Sequence, residues 1–205
     1  TLTVGDYFSR LMRGRGLRWL DLYRDPRAFT AFVNMRSLNS VVTDSAAASS
    51  SWGSGSRVKN GMLNVLPDGR ELQPLYRLFA QAGWKRGLVT TTEITHATPA
   101  GFAANAQRDN AESIATQYLD RRVDVLLGGG SKYFAPDKRK DKRDLPAAYR
   151  EAGYTVVTRS AELTTAPLDR SLLGTFSSGH LPYTIDHLAD AKLKANIPTL
   201  AEMAS

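Results

Sequence analysis

The chain has 205 residues, 42% apolar and 23% charged, with a mean hydropathy of −0.32 and a formal charge of +7. That length supports a sizeable core, and the absence of any apolar run near the roughly 18 to 20 residues of a membrane helix argues against a spanning protein. Zero cysteines exclude disulfides, thiolate zinc sites, iron–sulfur clusters and a cysteine nucleophile. The basic balance suits an anionic partner, phosphate or nucleic acid.

The opening Thr1-Leu2-Thr3-Val4-Gly5-Asp6 carries neither an initiator methionine nor a signal peptide, so the chain reads as an internal piece. Val4, Tyr7, Phe8 and Leu11 recur at helical spacing and predict a helix. Residues 13–37, rich in arginine and aromatics, read as irregular or short-helical surface. The β-branched run Val41-Val42-Thr43 then predicts a strand, followed by a tight turn at Asp44 and a helix from Ala46-Ala47-Ala48.

A regular alternation follows. Leu72, Leu75, Tyr76 and Phe79 form a helical stripe closed by Gly83, and residues 87–92 read as a strand. Ala111, Ile114, Ala115, Tyr118 and Leu119 form a second stripe leading into a strand at 123–127, stopped by Gly128-Gly129-Gly130. A third helix at 145–152 with Gly153 as cap precedes a strand at 154–158, and residues 189–205 end in a helical pattern. Strands separated by single helices predict an α/β fold, a mainly parallel central sheet with helices on both faces, in one segment spanning 1–205. Function in such sheets collects at the carboxyl ends of the strands.

Two segments carry candidate chemistry. Ser45, in Val42-Thr43-Asp44-Ser45-Ala46, stands at a helix start, where free N–H groups and the helix dipole stabilise an oxyanion or phosphoryl group. Asp44 or Ser45 can equally be a plain helix cap, and a catalytic Ser45 needs a base or a metal to make the alkoxide. In Thr95-His96-Ala97-Thr98-Pro99, His96 and Thr98 face one side if the stretch is extended, offering an imidazole and a hydroxyl to a divalent ion. In the other reading Thr98 caps a helix that begins at Pro99. Arg108 is one arginine among many, though suited to bidentate phosphate contact. The glycine run at 128–130 fails the phosphate-loop patterns and reads as a strand-ending turn, while His180 and His187 show no ligand spacing. The basic run 138–143 reads as a solvated loop.

Together these pieces resemble the alkaline phosphatase family. Val42-Thr43-Asp44-Ser45-Ala46-Ala47 is similar to its nucleophile motif, with Lys59-Asn60-Gly61 following at a suitable interval. Thr95-His96-Ala97-Thr98-Pro99-Ala100 is similar to its second signature, and Val125-Leu126-Leu127-Gly128-Gly129-Gly130 and Gly179-His180-Leu181-Pro182-Tyr183 resemble further landmarks in the same order. The resemblance implies a phosphomonoesterase using zinc and magnesium, exported to the periplasm or cell surface and often dimeric. It implies that Ser45 is the nucleophile that becomes a phosphoserine and is held by zinc. It further implies that Asp44 positions a phosphate-binding arginine, for which Arg108 is the candidate, and that Thr98, with His96 beside it, serves magnesium. Nothing before Asp44 resembles the family's N-terminal metal-bridging aspartate segment, and its later Glu, Asp and His ligands are not matched. The chain is therefore expected to be a fragment lacking both ends, inactive alone. Two other readings stand beside this one: a basic domain binding a phosphate backbone through Arg13, Arg15, Arg18 and residues 138–143, and a nucleotide-binding domain using Gly128-Gly129-Gly130.

Overall fold

The computed structural model describes residues 2–205, which fall into two compact units, 2–34 and 35–205. The first holds helix α1 (Leu2–Arg13) and a 3-10 helix (Arg18–Arg24). The Asp6 carboxylate joins them, accepting from Arg10 Nε at 2.7 Å and from the Leu17 N–H at 2.8 Å. The apolar stripe of α1 forms as its spacing predicts but is not buried: Val4, Tyr7, Phe8 and Leu11 are 62% to 82% exposed.

The second unit is built on a four-stranded parallel sheet, in the order β2 (Gly87–Glu93), β4 (Val125–Gly129), β6 (Leu172–Thr175), β5 (Thr155–Val157). Helices α2 (Ser45–Ser54), α3 (Leu75–Gln81), α5 (Ala111–Asp120) and α6 (Leu145–Glu151) belong to the same unit, giving the α/β architecture expected. Short helices α7 (Ser160–Thr164), α8 (Thr184–Ala189), α9 (Ala191–Asn196) and α10 (Leu200–Ala204) complete its C-terminal part. A two-residue antiparallel pair, β1 (Met62–Leu63) with β3 (Ala106–Gln107), lies apart from the main sheet.

Local chemistry sets the boundaries. Asn110 and Asp144 cap α5 and α6 by accepting from the Ser113 and Ala147 N–H groups. Gly83 and Gly153, at φ of +76° and +90°, end α3 and α6 in the left-handed conformation that glycine adopts without a Cβ penalty. Register then places Leu88, Leu126, Leu173 and Val156 in one row across the four strands, and the first three of these are buried. Continuous apolar strands of this kind are what a sheet covered by helices requires. Tyr118, Tyr149 and Tyr154 pack into the same core and satisfy their hydroxyls on the carbonyls of Ile94, Ala115 and Val123.

Two expectations are corrected. Residues 41–43 form no strand: Val41 and Val42 are 87% and 78% exposed, and no neighbouring strand pairs with them among the described residues. The run 138–143 is not a uniformly solvated loop either, because Arg139 is 1% exposed. Its guanidinium donates to the carbonyls of Tyr133 (2.7 Å) and Glu112 (3.2 Å) and to Asp141 Oδ1 (2.8 Å), which satisfies a charge that burial would otherwise penalise. Strand β6 is not among the strands that the local sequence pattern predicts.

Leu126 has apolar neighbours along the sheet row and in the core behind it. Leu126→Ala should lower the unfolding free energy by about 2–5 kcal/mol, measured as a fall in the denaturant midpoint at an unchanged slope.

Candidate functional site

Ser45 is the first residue of α2 and is exposed, with Asp44 at the cap position in extended backbone. The Asp44 carboxylate does three things at once. Its Oδ1 accepts from the Ala47 N–H at 2.8 Å, and its Oδ2 accepts from the Gly61 N–H at 2.9 Å and from Arg108 Nη1 at 3.1 Å. Asp44 is thus a cap and also the partner of Arg108, 64 residues away. Burial by itself would raise its pKa, and the Ala47 and Gly61 N–H groups with the Arg108 guanidinium outweigh that, holding it below the ordinary carboxylate value.

The Lys59-Asn60-Gly61 segment is the bracket for this arrangement. Asn60 accepts from the Asp44 N–H at 3.1 Å and donates to the Val42 carbonyl at 3.0 Å. Gly61, at φ +83°, turns its carbonyl to the Arg108 N–H at 2.9 Å. Arg108 is therefore fixed at its main chain by Gly61 and at its side chain by Asp44. Its Nε lies 4.0 Å from Asp109 Oδ1, and a guanidinium carries further N–H donors in a fork geometry suited to an anion.

His96 and Thr98 do not lie in an extended stretch. His96 is itself the cap residue of a short helix, α4 (Ala97–Ala100), and Thr98 is inside it. Thr98 is exposed on a groove of about 560 Å³ lined also by Tyr76, Phe79, Thr92 and Phe102. His96 is partly buried, and its Nδ1 has no hydrogen-bond partner among the described residues. Desolvation first, then the positive charge of Arg108, lowers its pKa from the ordinary imidazole value. The α2 and α4 segments meet backbone to backbone: Ser49 Oγ donates to the Ala97 carbonyl at 2.8 Å, and a Cβ on Gly53 would lie 1.9 Å from the Gly101 oxygen.

Three further residues gather at the strand ends without any local signal in the sequence. Glu93, the last residue of β2, pairs with Lys132 Nζ at 2.7 Å, and its N–H donates to His180 Nδ1 at 2.9 Å. The rings of His96 and His180 are 5.5 Å apart, edge to face. These contacts join residues up to 87 positions apart, so spacing could not reveal them. Gly128, Gly129 and Gly130 act as a strand end and turn, as expected, with Gly130 at φ +89°. His187 bonds to the Ile197 carbonyl at 2.7 Å, a structural contact. Among the described residues, no group of three or more His, Asp or Glu is arranged to hold a metal ion.

A family model described as alkaline phosphatase matches residues 21–205. Alkaline phosphatase 4 of Bacillus subtilis is 37% identical over 169 residues, covering 79% of this chain and 34% of that protein. The crystal structure of Thermus thermophilus alkaline phosphatase superposes with a TM-score of 0.89 at 39% identity, over 98% of this chain and 42% of that one. Alkaline phosphatase from the Antarctic bacterium TAB5, in a histidine-to-aspartate variant described with Mg bound in the M3 site, superposes with a TM-score of 0.72 at 26% identity, over 89% of this chain and 51% of that one. The chain thus spans about a third of the length of the curated relative and under half of the Thermus structure.

Because its folded-state pKa is depressed, Asp44 contributes stability that is present above its ordinary value of 3.8 and lost as pH falls through the lower folded value. Chemical denaturation from pH 7 downward should show a decline below about pH 4. Asp44→Asn should be less stable at neutral pH and show a shallower decline; identical acid profiles would refute this linkage.

Proposed function

The chain belongs to the alkaline phosphatase family, and from that membership we propose that it contributes the nucleophile side of a phosphomonoesterase active site, with Ser45 attacking phosphorus. The observation that carries the proposal is the Asp44–Arg108 pair held at the start of α2. It ties a guanidinium to the residue that precedes an exposed serine at a helix start, where the dipole favours an anion.

In this reading the Arg108 fork contacts two phosphoryl oxygens and neutralises their charge, while the α2 N–H groups orient the group for in-line attack. Ser45 Oγ forms a bond to phosphorus as the ester P–O bond breaks. The leaving alkoxide takes up a proton, and the phosphoserine is hydrolysed by water, releasing phosphate and restoring the hydroxyl. Asp44 stays ionised throughout and keeps Arg108 aimed. A site that grips mainly the phosphoryl group admits many alcohols, so phosphate monoesters as a class are the proposed substrates.

The residues fit one metal position in part. His96 offers an unpartnered buried nitrogen, and with the Thr98 hydroxyl it would serve magnesium. Zinc does not fit the described residues, since three ligands of the required kind are not gathered anywhere among them. A bound divalent cation supplies Lewis-acid charge and lowers the pKa of bound water. We infer that the 205 residues alone turn over phosphate esters little if at all. Export to the periplasm or cell surface, and a homodimeric state, come from the family alone and belong to the same proposal.

Incubation of the chain with a chromogenic phosphomonoester, zinc and magnesium at alkaline pH should yield no metal-dependent turnover, from either the wild type or Ser45→Ala. Turnover that vanishes in Ser45→Ala would uphold the nucleophile and overturn the inferred ligand deficit. In a chain of full family length carrying this segment, Ser45→Ala should abolish covalent phosphate incorporation with the fold intact. Undiminished labelling would sink the nucleophile assignment.

A further inference from the structure

At the end of the sheet away from the candidate site, three arginines meet at one pocket of about 410 Å³, lined by Tyr76, Arg77, Ala80, Arg86, Arg121 and Val123 among other residues. That volume is in the range of small-molecule sites. Arg86 immediately precedes β2 and Val123 lies just before β4, so the pocket stands at the amino ends of parallel strands. Glu93 closes the other end of β2, about 20 Å away along the strand.

The three arginines are not equivalent. Arg86 is committed to the fold: its guanidinium donates to Asp124 Oδ2 at 3.1 Å, to the Arg121 carbonyl at 3.2 Å and to the Arg122 carbonyl. Arg121 is half-buried, and its Nη1 donates to the Ala103 carbonyl, while Arg77 is exposed. Neither of these two forms an ion pair with a carboxylate among the described residues. Burial first, then the neighbouring charge of Arg77, lowers the Arg121 pKa against the smaller opposing pull of Glu71 and Asp120. Asp120 is the one acidic residue of the lining, and it is exposed. Positive charge is thus gathered here that the described residues do not neutralise. Apolar surface adjoins it in Ala80, Val123 and the ring of Tyr76, whose hydroxyl is tied to the Gly87 carbonyl.

We propose that this pocket binds a small organic phosphate, with its dianionic head on Arg121 and Arg77 and its apolar body against Tyr76, Ala80 and Val123, at a site separate from Ser45. A guanidinium fork matches phosphoryl oxygens in bidentate fashion, and two unpaired guanidiniums match the two charges of the head. The apolar wall favours an organic group over inorganic phosphate, because only the former has surface to remove from water.

The test is amide ¹⁵N–¹H correlation NMR on the ¹⁵N-labelled 205-residue chain, titrated with phenylphosphonate, whose C–P bond resists hydrolysis, and in parallel with inorganic phosphate and benzoate. Phenylphosphonate should shift the amides of Ala103, Arg121 and Val123 saturably. Inorganic phosphate, which lacks the apolar body, and benzoate, which carries one charge, should bind there about tenfold or more weakly. Arg77→Gln, a change at an exposed position, should keep the denaturant midpoint and weaken phenylphosphonate by about tenfold or more; Arg121→Gln should weaken it at least as much. No saturable shift at these amides in the wild type, or shifts confined to Ala47 and Gly61 beside Arg108, would overturn the pocket as a site. Unchanged affinity in a folded Arg77→Gln would overturn the two-arginine head. Benzoate or inorganic phosphate binding as tightly as phenylphosphonate would overturn the dianion or the apolar body respectively.

Discussion

One carboxylate organises the candidate site. Asp44 accepts from the first turn of its own helix, from the Gly61 N–H and from Arg108, so three chain segments share a single charged acceptor. Each bond is modest by itself, but they are charge-assisted and act on a group that is partly withdrawn from water, where such bonds are strongest. Because Asp44 directly precedes Ser45, whatever fixes the carboxylate also fixes the entry angle of the exposed hydroxyl. The positive φ at Gly61 allows that residue to present its N–H to Asp44 and its carbonyl to Arg108 at the same time.

Behind this anchor the two signature segments are joined by close packing. Ser49 and Gly53 on α2 face Ala97 and Gly101, and only the short Ser49 side chain, bonded to the Ala97 carbonyl, stands between the backbones. Small residues at such a crossing leave little room for relative sliding, since neither side has a rotamer that can absorb it. The segment carrying Ser45 and the one carrying His96 are therefore set against each other by main-chain contact. The glycines at the end of β4 perform the same service for the turn that brings in His180.

Much of the frame was legible in the sequence because its signals are local. Helix α5 and strand β4 follow from an apolar stripe and a β-branched-to-glycine transition within twenty residues. Val41 and Val42 misled because β-branched residues favour strands only where a neighbouring strand and a core receive them, and here both side chains face solvent. Strand β6 escaped notice because Gly174 interrupts its short apolar run, yet a Cβ at that position would meet the Phe176 ring at 2.5 Å. In the site, Asp44 and Ser45 were legible as a helix start, and Arg108 as a candidate only through resemblance. Glu93, Lys132 and His180 were not legible, since what makes them neighbours is the parallel register of β2, β4 and β6. The extended stretch expected from His96 to Thr98 gives way to a four-residue helix that His96 caps, because a proline at its third position and three alanine or threonine neighbours suit a first helical turn.

Arg139 illustrates how far a side chain can depart from the character of its surroundings. The run around it is dense in lysine and arginine, the bonds that trypsin cleaves, and its flanking lysines stand in the open. Arg139 itself is locked under the α5 terminus by two carbonyls and Asp141, so it cannot enter a protease specificity pocket while those bonds persist. Cleavage after Arg139 thus requires the local structure to open first, and its rate relative to cleavage at the neighbouring lysines gauges how often this corner of the fold comes undone.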